Sequence, residues 1–533
     1  MSAQKPPYTV TTAIDYVNAA PHLGHAYEKI ASDVLARYAR LQGRPVFFLT
    51  GTDEHGTKVE KTAKSKGLEP KAYTDEVSGE FKKAWEHLNL SYDRFIRTTD
   101  TDHYEVVAHL WQTMAAKDDI YKAGYQGLYC AGCEKFVTAK DLDEEGLCPN
   151  HQTKPDLIEE ENYFFRLTKY RDAIREAIES GKLQILPEFR KNEVLAFLEE
   201  LEDISVSRSV NSVSWGIPVP GDPDQRIYVW IDALSNYITG LGYRHDETLF
   251  NRFWNNDAEG RQVVHIIGKD ILRFHAIYWP AMLMSAELPL PTTIFAHGFI
   301  TINDSKISKS LGNTVSPFSL SETFALPNAD PIRYYLMTTT TFGQDGNFSE
   351  EDFKLRINAD LANNLGNLLN RTLSMNAKYF EGKVPPREKL AALPDDWRLL
   401  EETAATLPKI EQAFEQYAFN TAAELILSRV DAANKLINIA EPWNLFKNGE
   451  LDTLAGLMHE LLETLRQVGL MLWPLTPSLA EGIWQQLGFE VSPAEIRWDF
   501  VLGAPIPDGQ QTNPTGPLLP RLDSEIVGAA KKK

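Results

Sequence analysis

Apolar and polar positions follow two rhythms along the chain. Residues 8–13 and 45–50 are short runs rich in β-branched and aromatic side chains, the second ending at Gly51, and they predict buried strands. Between them, residues 26–41 set Ile30, Val34, Leu35, Tyr38 and Leu41 close to one helical stripe. Strand, helix and strand in that order imply a parallel sheet with a crossover helix. The strand rhythm returns at residues 226–231, 262–267 and 295–302. Beyond residue 350 helical spacing takes over, first at Leu361, Leu365, Leu368 and Leu369, then over residues 421–439 and 451–471. Ser349, with Asp352 three residues on, predicts a capped helix start. Residues 505–520, rich in Pro and Gly, predict an irregular tail.

Residues 119–222 break this pattern. They hold all three cysteines, several acidic runs and a helix-like stretch at 193–202, and they close on the loop signal Trp215-Gly216-Ile217-Pro218-Val219-Pro220-Gly221. The reading is an α/β protein: a Rossmann-like, doubly wound parallel sheet whose halves, residues 1–118 and 223–325, are split by an insertion at 119–222. A linking segment at 326–350 leads into a helical bundle and tail at 351–533.

Three side-chain clusters carry chemistry. Pro21-His22-Leu23-Gly24-His25 follows a predicted strand and opens a predicted helix, where unpaired N–H groups and the positive dipole end suit phosphate. His22 and His25 are neighbours at i and i+3, and Gly24 leaves room for a ring or backbone. Lys306-Ile307-Ser308-Lys309-Ser310, followed by Leu311-Gly312-Asn313, sets two lysines on a small-residue loop that can clamp a leaving polyphosphate. Cys130-Ala131-Gly132-Cys133 and Cys148-Pro149-Asn150-His151 are two ligand pairs, each with two residues between. Three thiolates and one imidazole make a closed tetrahedral zinc site of the structural type. A redox-active pair and free buried thiols are the competing readings, and a redox pair leaves Cys148 and His151 unexplained.

Taken together, His22-Leu23-Gly24-His25 and Lys306-Ile307-Ser308-Lys309-Ser310 resemble the two signature motifs of class I aminoacyl-tRNA synthetases, in the expected order, with Ile307 where the family commonly has Met. Further stretches resemble the methionyl branch of that family: Ala13-Ile14-Asp15-Tyr16, Gly51-Thr52-Asp53-Glu54-His55-Gly56, residues 215–220, Tyr228-Val229-Trp230-Ile231-Asp232-Ala233, and Gly268-Lys269-Asp270-Ile271-Leu272-Arg273-Phe274-His275. The resemblance covers roughly residues 8 to 500 and implies ATP-dependent activation of methionine, ATP entering with Mg2+, followed by transfer to the terminal adenosine of tRNA(Met).

Residue by residue, the resemblance implies that His22 and His25 contact the ATP phosphates, with Gly24 beneath the adenosine. Lys306 and Lys309 stabilise the departing pyrophosphate, Gly268 and Asp270 meet the ribose, and Asp53 pairs with the substrate ammonium. Ala13, Ile14, Tyr16, Trp230, Ala233, Tyr237, Ile271 and His275 surround the methionine side chain, whose thioether favours aromatic contact. Trp230, read as the end of a strand, is expected at the ligand-binding carboxyl edge of the sheet. In the bundle, Asn367, Arg371 and Trp443 are expected to read the anticodon, Trp443 by stacking on an unpaired base. The cysteine cluster agrees with a single zinc knuckle. The competing readings are a cysteinyl or branched-chain synthetase, a non-catalytic tRNA-binding relative, and a nucleotidyltransferase without a tRNA.

Composition refines the partners. The formal charge is −20, which on average disfavours nucleic acid. By region, the insertion and residues 350–533 each carry −8, and the two sheet halves together only −4. The expected tRNA contact is therefore local, with few phosphates neutralised and a shallow salt dependence. No run of about 18 apolar residues occurs and the N-terminus lacks an apolar leader core, so a cytoplasmic, non-membrane protein is expected. The chain ends at Lys533, shortly after the bundle, which predicts a monomer.

Overall fold

Tyr8–Thr12 (β1) buries all five of its side chains, as a strand covered on both faces must. In this computed structural model, which describes residues 5–522 except 131–134, 138–141, 144, 150–151, 256–257, 304 and 307–313, β1 lies at the centre of a seven-stranded sheet. Asp15–Tyr16 (β2) follows it, and the helix Leu23–Leu41 (α1) crosses over to Val46–Asp53 (β3). β3 pairs in parallel with β1, β2 and Arg94–Arg97 (β4). Gly51 permits that last pairing, since a Cβ there would lie 2.0 Å from the carbonyl oxygen of Ile96. On its other side β1 pairs in parallel with Gln262–Gly268, which pairs with Thr293–His297. The chain thus winds in opposite directions from the β1 and Gln262–Gly268 pair, and the crevice beyond their carboxyl ends is a topological switch point.

Two strand expectations change, and one strand is added. Residues 226–231 do not join the parallel sheet. Asp222–Ile227 is antiparallel to Ser207–Ser209 and Pro218–Val219 in a separate small sheet, and Val229–Leu234 is a helix. A short apolar run has no periodicity by which strand and buried helix can be told apart. The run at 295–302 breaks at Gly298: Thr293–His297 stays in the main sheet, whereas Ile300–Ile302 pairs with Gly346–Phe348 and Ser305–Lys306. Gln184–Leu186 is an edge strand of the main sheet, parallel to Thr293–His297, although it lies within the segment read as an insertion. Three residues are too few for a sequence pattern.

Within that segment, Ile120–Cys130 and Asp156–Phe165 form a long antiparallel hairpin, extended by Lys135–Val137. The helical region is built as expected. The Ser349 side chain accepts from the Asp352 N–H at 3.2 Å, capping Glu350–Arg356. Gly366–Phe380, Leu399–Glu415 and Phe419–Ala440 pack around Leu451–Leu472, which is buried on every face from Leu454 onward. The bundle and the α1 face of the sheet share one continuous apolar core. No helix among the described residues is long and apolar enough to cross a membrane.

Candidate active site

The site grows from the start of α1. His22 is its N-cap, with extended backbone, and its Nδ1 accepts the Gly24 N–H at 3.1 Å. The His22 N–H in turn donates to His25 Nδ1 at 3.2 Å. This is a capping box in which two imidazoles take the parts usually played by hydroxyls and carboxylates. The rings stack with centroids 3.8 Å apart. Because each Nδ1 accepts, each neutral ring carries its proton on Nε2. Burial, then the charge of Lys29, lowers His22 to about 4. Burial, then His22 and Lys29, hold His25 well below the ordinary imidazole range. The pair therefore offers two uncharged N–H donors at the positive end of a 19-residue helix, a suitable seat for an anion.

These donors open onto a cavity of about 350 Å³ at the switch point. Tyr16, Gly24, Gly268 and Asp270 line it, as do Ala13, Ile14 and Ile271. The cavity also holds charged groups that the sequence reading did not single out. Lys29 Nζ donates to Ala13 O at 3.0 Å, to Asp15 Oδ1 at 2.6 Å and to Glu28 Oε1 at 3.1 Å. Burial alone would discharge Lys29, but Asp15 and Glu28 keep it an ammonium. The far oxygen of Glu28 meets His297 Nε2 at 3.0 Å. The available signal was positional: Lys29 lies at i+4 from His25, on the same helix face. Nothing local to the sequence around His297 pointed to the site.

A smaller pocket of about 40 Å³ adjoins the cavity and is lined by Ala13, Ile14, Asp53, Trp230, Ala233, Tyr237, Ile271 and His275. Leu234 and Asn236 complete it and were not anticipated. Tyr237 and His275 satisfy one another, Oη to Nε2 at 2.7 Å, and His275 Nδ1 donates to Ile271 O at 3.0 Å. Burial lowers His275 to about 4, so this wall is uncharged at neutral pH. His275 sits in a π-helical turn, Phe274–Tyr278, a local widening common at functional sites. Trp230 reaches the pocket from the Val229–Leu234 helix and not from a strand end, and it stacks on Phe274 at 3.8 Å. A largely apolar slot with one carboxylate, Asp53, in its lining suits an amino acid with an uncharged side chain.

The remaining expected residues are not among the described residues lining the two cavities. Lys306 ends the short strand Ser305–Lys306, paired with Ile300–Ile302; its side chain and all of Lys309 lie outside the described residues. Cys130 and Cys148 are buried together against Val137, while Cys133 and His151 lie outside the described residues. Among the described residues no three ligating side chains converge on a metal position. In the bundle, Asn367 is exposed and Arg371 Nη2 donates to Asn438 Oδ1 at 3.0 Å, near the end of the helix that leads to Trp443. Trp443 is 45% exposed on the short helix Pro442–Asn448.

Comparison with known proteins agrees with this layout. Residues 8–156 and 150–373 match the family model of class I (M) tRNA synthetases, and residues 396–525 match an anticodon-binding domain of tRNA ligases. The chain is 46% identical over 492 residues to a methionine–tRNA ligase of Thermosynechococcus vestitus, covering 91% of each. It is 42% identical over 526 residues to that of Brucella melitensis, covering 98% of each. Its structure superposes with a TM-score of 0.89 and 41% identity on a Mycobacterium tuberculosis methionyl-tRNA synthetase in complex with methionyl-adenylate, covering 97% of this chain and 100% of that one. The chain belongs to the class I (M) tRNA synthetases, the family of the methionine–tRNA ligases.

Proposed function

We propose that this protein is a methionine–tRNA ligase. It condenses methionine with ATP to methionyl-adenylate, releasing pyrophosphate, and passes the methionyl group to the terminal adenosine of tRNA(Met). The observation that carries the reading is the junction of an anion seat with an uncharged side-chain pocket at one switch point. Methionine enters with its thioether among Trp230, Tyr237 and His275 and its ammonium on Asp53. Its carboxylate then faces the α-phosphorus of ATP, whose ribose lies over Gly268 and Asp270. A carboxylate oxygen forms the bond to phosphorus as the bond to the pyrophosphate oxygen breaks. The protein's part is positioning and charge stabilisation: His22, His25 and the α1 N-terminus donate to the phosphates, and Lys306 and Lys309 hold the leaving pyrophosphate. Methionine-dependent exchange of labelled pyrophosphate into ATP tests this directly. Exchange driven by another amino acid and not by methionine would overturn it.

The bundle receives the anticodon, with Trp443 as a stacking platform and Asn367 and Arg371 as polar readers. Base–aromatic stacking is worth about 1–3 kcal/mol per base. Trp443→Ala should therefore raise the KM for tRNA(Met) in aminoacylation and leave pyrophosphate exchange unchanged, as steady-state kinetics of the two steps will show. A role in charging tRNA supports a cytoplasmic location.

Cys130, Cys133, Cys148 and His151 are the candidate zinc ligands. Two buried thiols fit this role: among the described residues they share a small cluster with Val137, flanked by Leu128 and Leu142, and so small an apolar cluster stabilises little without a staple. When bound, zinc supplies structure to the hairpin and no chemistry to adenylation. Elemental analysis of the purified protein should return about one zinc per chain. Cys148→Ala should abolish binding while sparing pyrophosphate exchange.

A further inference from the structure

Asp232 is buried at 1% exposure beneath the side-chain pocket, on the same short helix as Trp230 and Ala233. Its carboxylate bridges two buried histidines. Oδ2 lies 2.6 Å from His55 Nδ1, and Oδ1 lies 2.8 Å from His103 Nε2. Burial would raise this carboxyl, but His55 and then His103 hold it below the ordinary carboxylate range. It is thus ionised and accepts only, so both facing ring nitrogens carry protons. His55 Nε2 lies 2.8 Å from the Tyr104 hydroxyl, and His103 Nδ1 lies 3.1 Å from the Thr239 hydroxyl.

The two arms lead to different places. His103 and Tyr104 belong to the helix Thr101–Ala116, which is part of the scaffold. His55 lies two residues after Asp53, at the end of β3. Between them, Glu54 is held by Arg97 on β4 through paired contacts of 2.6 and 2.8 Å, and the Trp215 indole donates to Glu54 O at 2.6 Å. Asp53 is therefore fixed on one flank to the sheet and on the other, through His55, to the helix that forms the pocket wall.

We propose that Asp232 is a positioning residue for methionine: through His55 it sets the distance between the Asp53 carboxylate and the Trp230–Ala233 wall, so that ammonium and thioether are recognised by one rigid unit. The inference rests on the function proposed above and adds to it a residue that does not line the pocket. Asp53, Trp230 and Ala233 line the side-chain pocket and not the larger cavity, so the main effect is expected on methionine.

The test is pyrophosphate exchange with purified wild-type protein, Asp232→Asn and His55→Asn, varying methionine and ATP separately, with thermal melting of each. Outer-shell hydrogen-bond partners typically change affinity or activity by about 10–100-fold. The KM for methionine is expected to rise by about that factor in both variants, with the KM for ATP within about twofold of wild type. Should Asp232→Asn fail to fold, His55→Asn carries the same expectation, since it cuts the arm to Asp53, with the Tyr104 contact, and leaves the Asp232–His103 arm in place. An unchanged KM for methionine in a folded variant overturns the proposal. So does a fall in melting temperature and kcat with both KM values unchanged, which is the signature of a merely structural carboxylate. Absence of methionine-dependent exchange in the wild type overturns the enzymatic reading itself, and this inference with it.

Discussion

Arg333→Met is expected to destabilise the protein by about 3–5 kcal/mol, the cost of breaking a buried ion pair from one side. Arg333 is fully buried on the helix Asp330–Thr338, and its Nη2 lies 2.7 Å from Asp33 Oδ2 on α1. Its other donors are committed to three carbonyls: Nε to Leu475 at 3.1 Å, Nη1 to Leu88 at 3.2 Å and Nη2 to Pro474 at 2.9 Å. Methionine preserves much of the volume but leaves those carbonyls without a donor. Asp33 would keep Arg37, at 2.7 Å, and the Ser91 N–H and hydroxyl at 2.7 and 2.6 Å. The loss falls where the catalytic sheet meets the bundle, because the turn at Pro474 and Leu475 follows its central helix. The shift in the denaturation midpoint measures it.

The pH dependence of that loss has a definite sign. Burial alone would raise the Asp33 carboxyl, but Arg37 and then Arg333 hold it well below the ordinary carboxylate range. A depressed folded pKa gives a contribution that is complete above about pH 4 and lost as pH falls through the folded value. The midpoints of wild type and Arg333→Met should therefore lie furthest apart near neutrality and converge as pH falls, because Asp330, which burial raises to about 6 and Arg333 draws down, titrates before Asp33 does.

His25→Ala is expected to lower kcat for pyrophosphate exchange by about 10²–10³, the usual cost of one preorganised donor to developing charge. Two losses combine. The Nε2–H donor to phosphate disappears, and so does the Nδ1 acceptor of the His22 N–H at the helix cap. Methionine affinity should hold, since His25 lies in the larger cavity and not in the side-chain pocket. Because burial and neighbouring charge keep both imidazoles neutral at pH 7, exchange should not rise between pH 8 and 6. A rise as pH falls through the normal imidazole range, about 6.5, would mean that the charged ring is the working form.

Much of the site was legible because its residues cluster locally. His22 and His25 share one helix start, and the expected pocket residues occur in short runs at strand ends or on the helices that follow. The proposed roles come from the resemblance, and the elements from periodicity. The errors have a physical cause as well. Residues 226–231 present hydrophobic side chains in a run that a strand or a buried helix satisfies equally, and only packing against the sheet selects a helix from Val229 onward. Gln184–Leu186 becomes a strand because Thr293–His297 offers it an open edge more than a hundred residues away.

What the sequence by itself determined, then, is the order of the main elements, the helix cap at Ser349, the helix start at the His22–His25 cluster and the chemical inventory, because each depends on neighbours within a turn or two. The tertiary structure alone decided which distant groups share a low-dielectric space. It set Lys29 between Asp15 and Glu28, joined Glu28 to His297 across 269 residues, and gave Asp232 two histidines from separate elements. Burial is a property of the whole fold. It makes the imidazoles neutral, while Asp15 and Glu28, brought beside Lys29 by the fold, keep its charge against the same burial; no local pattern encodes either.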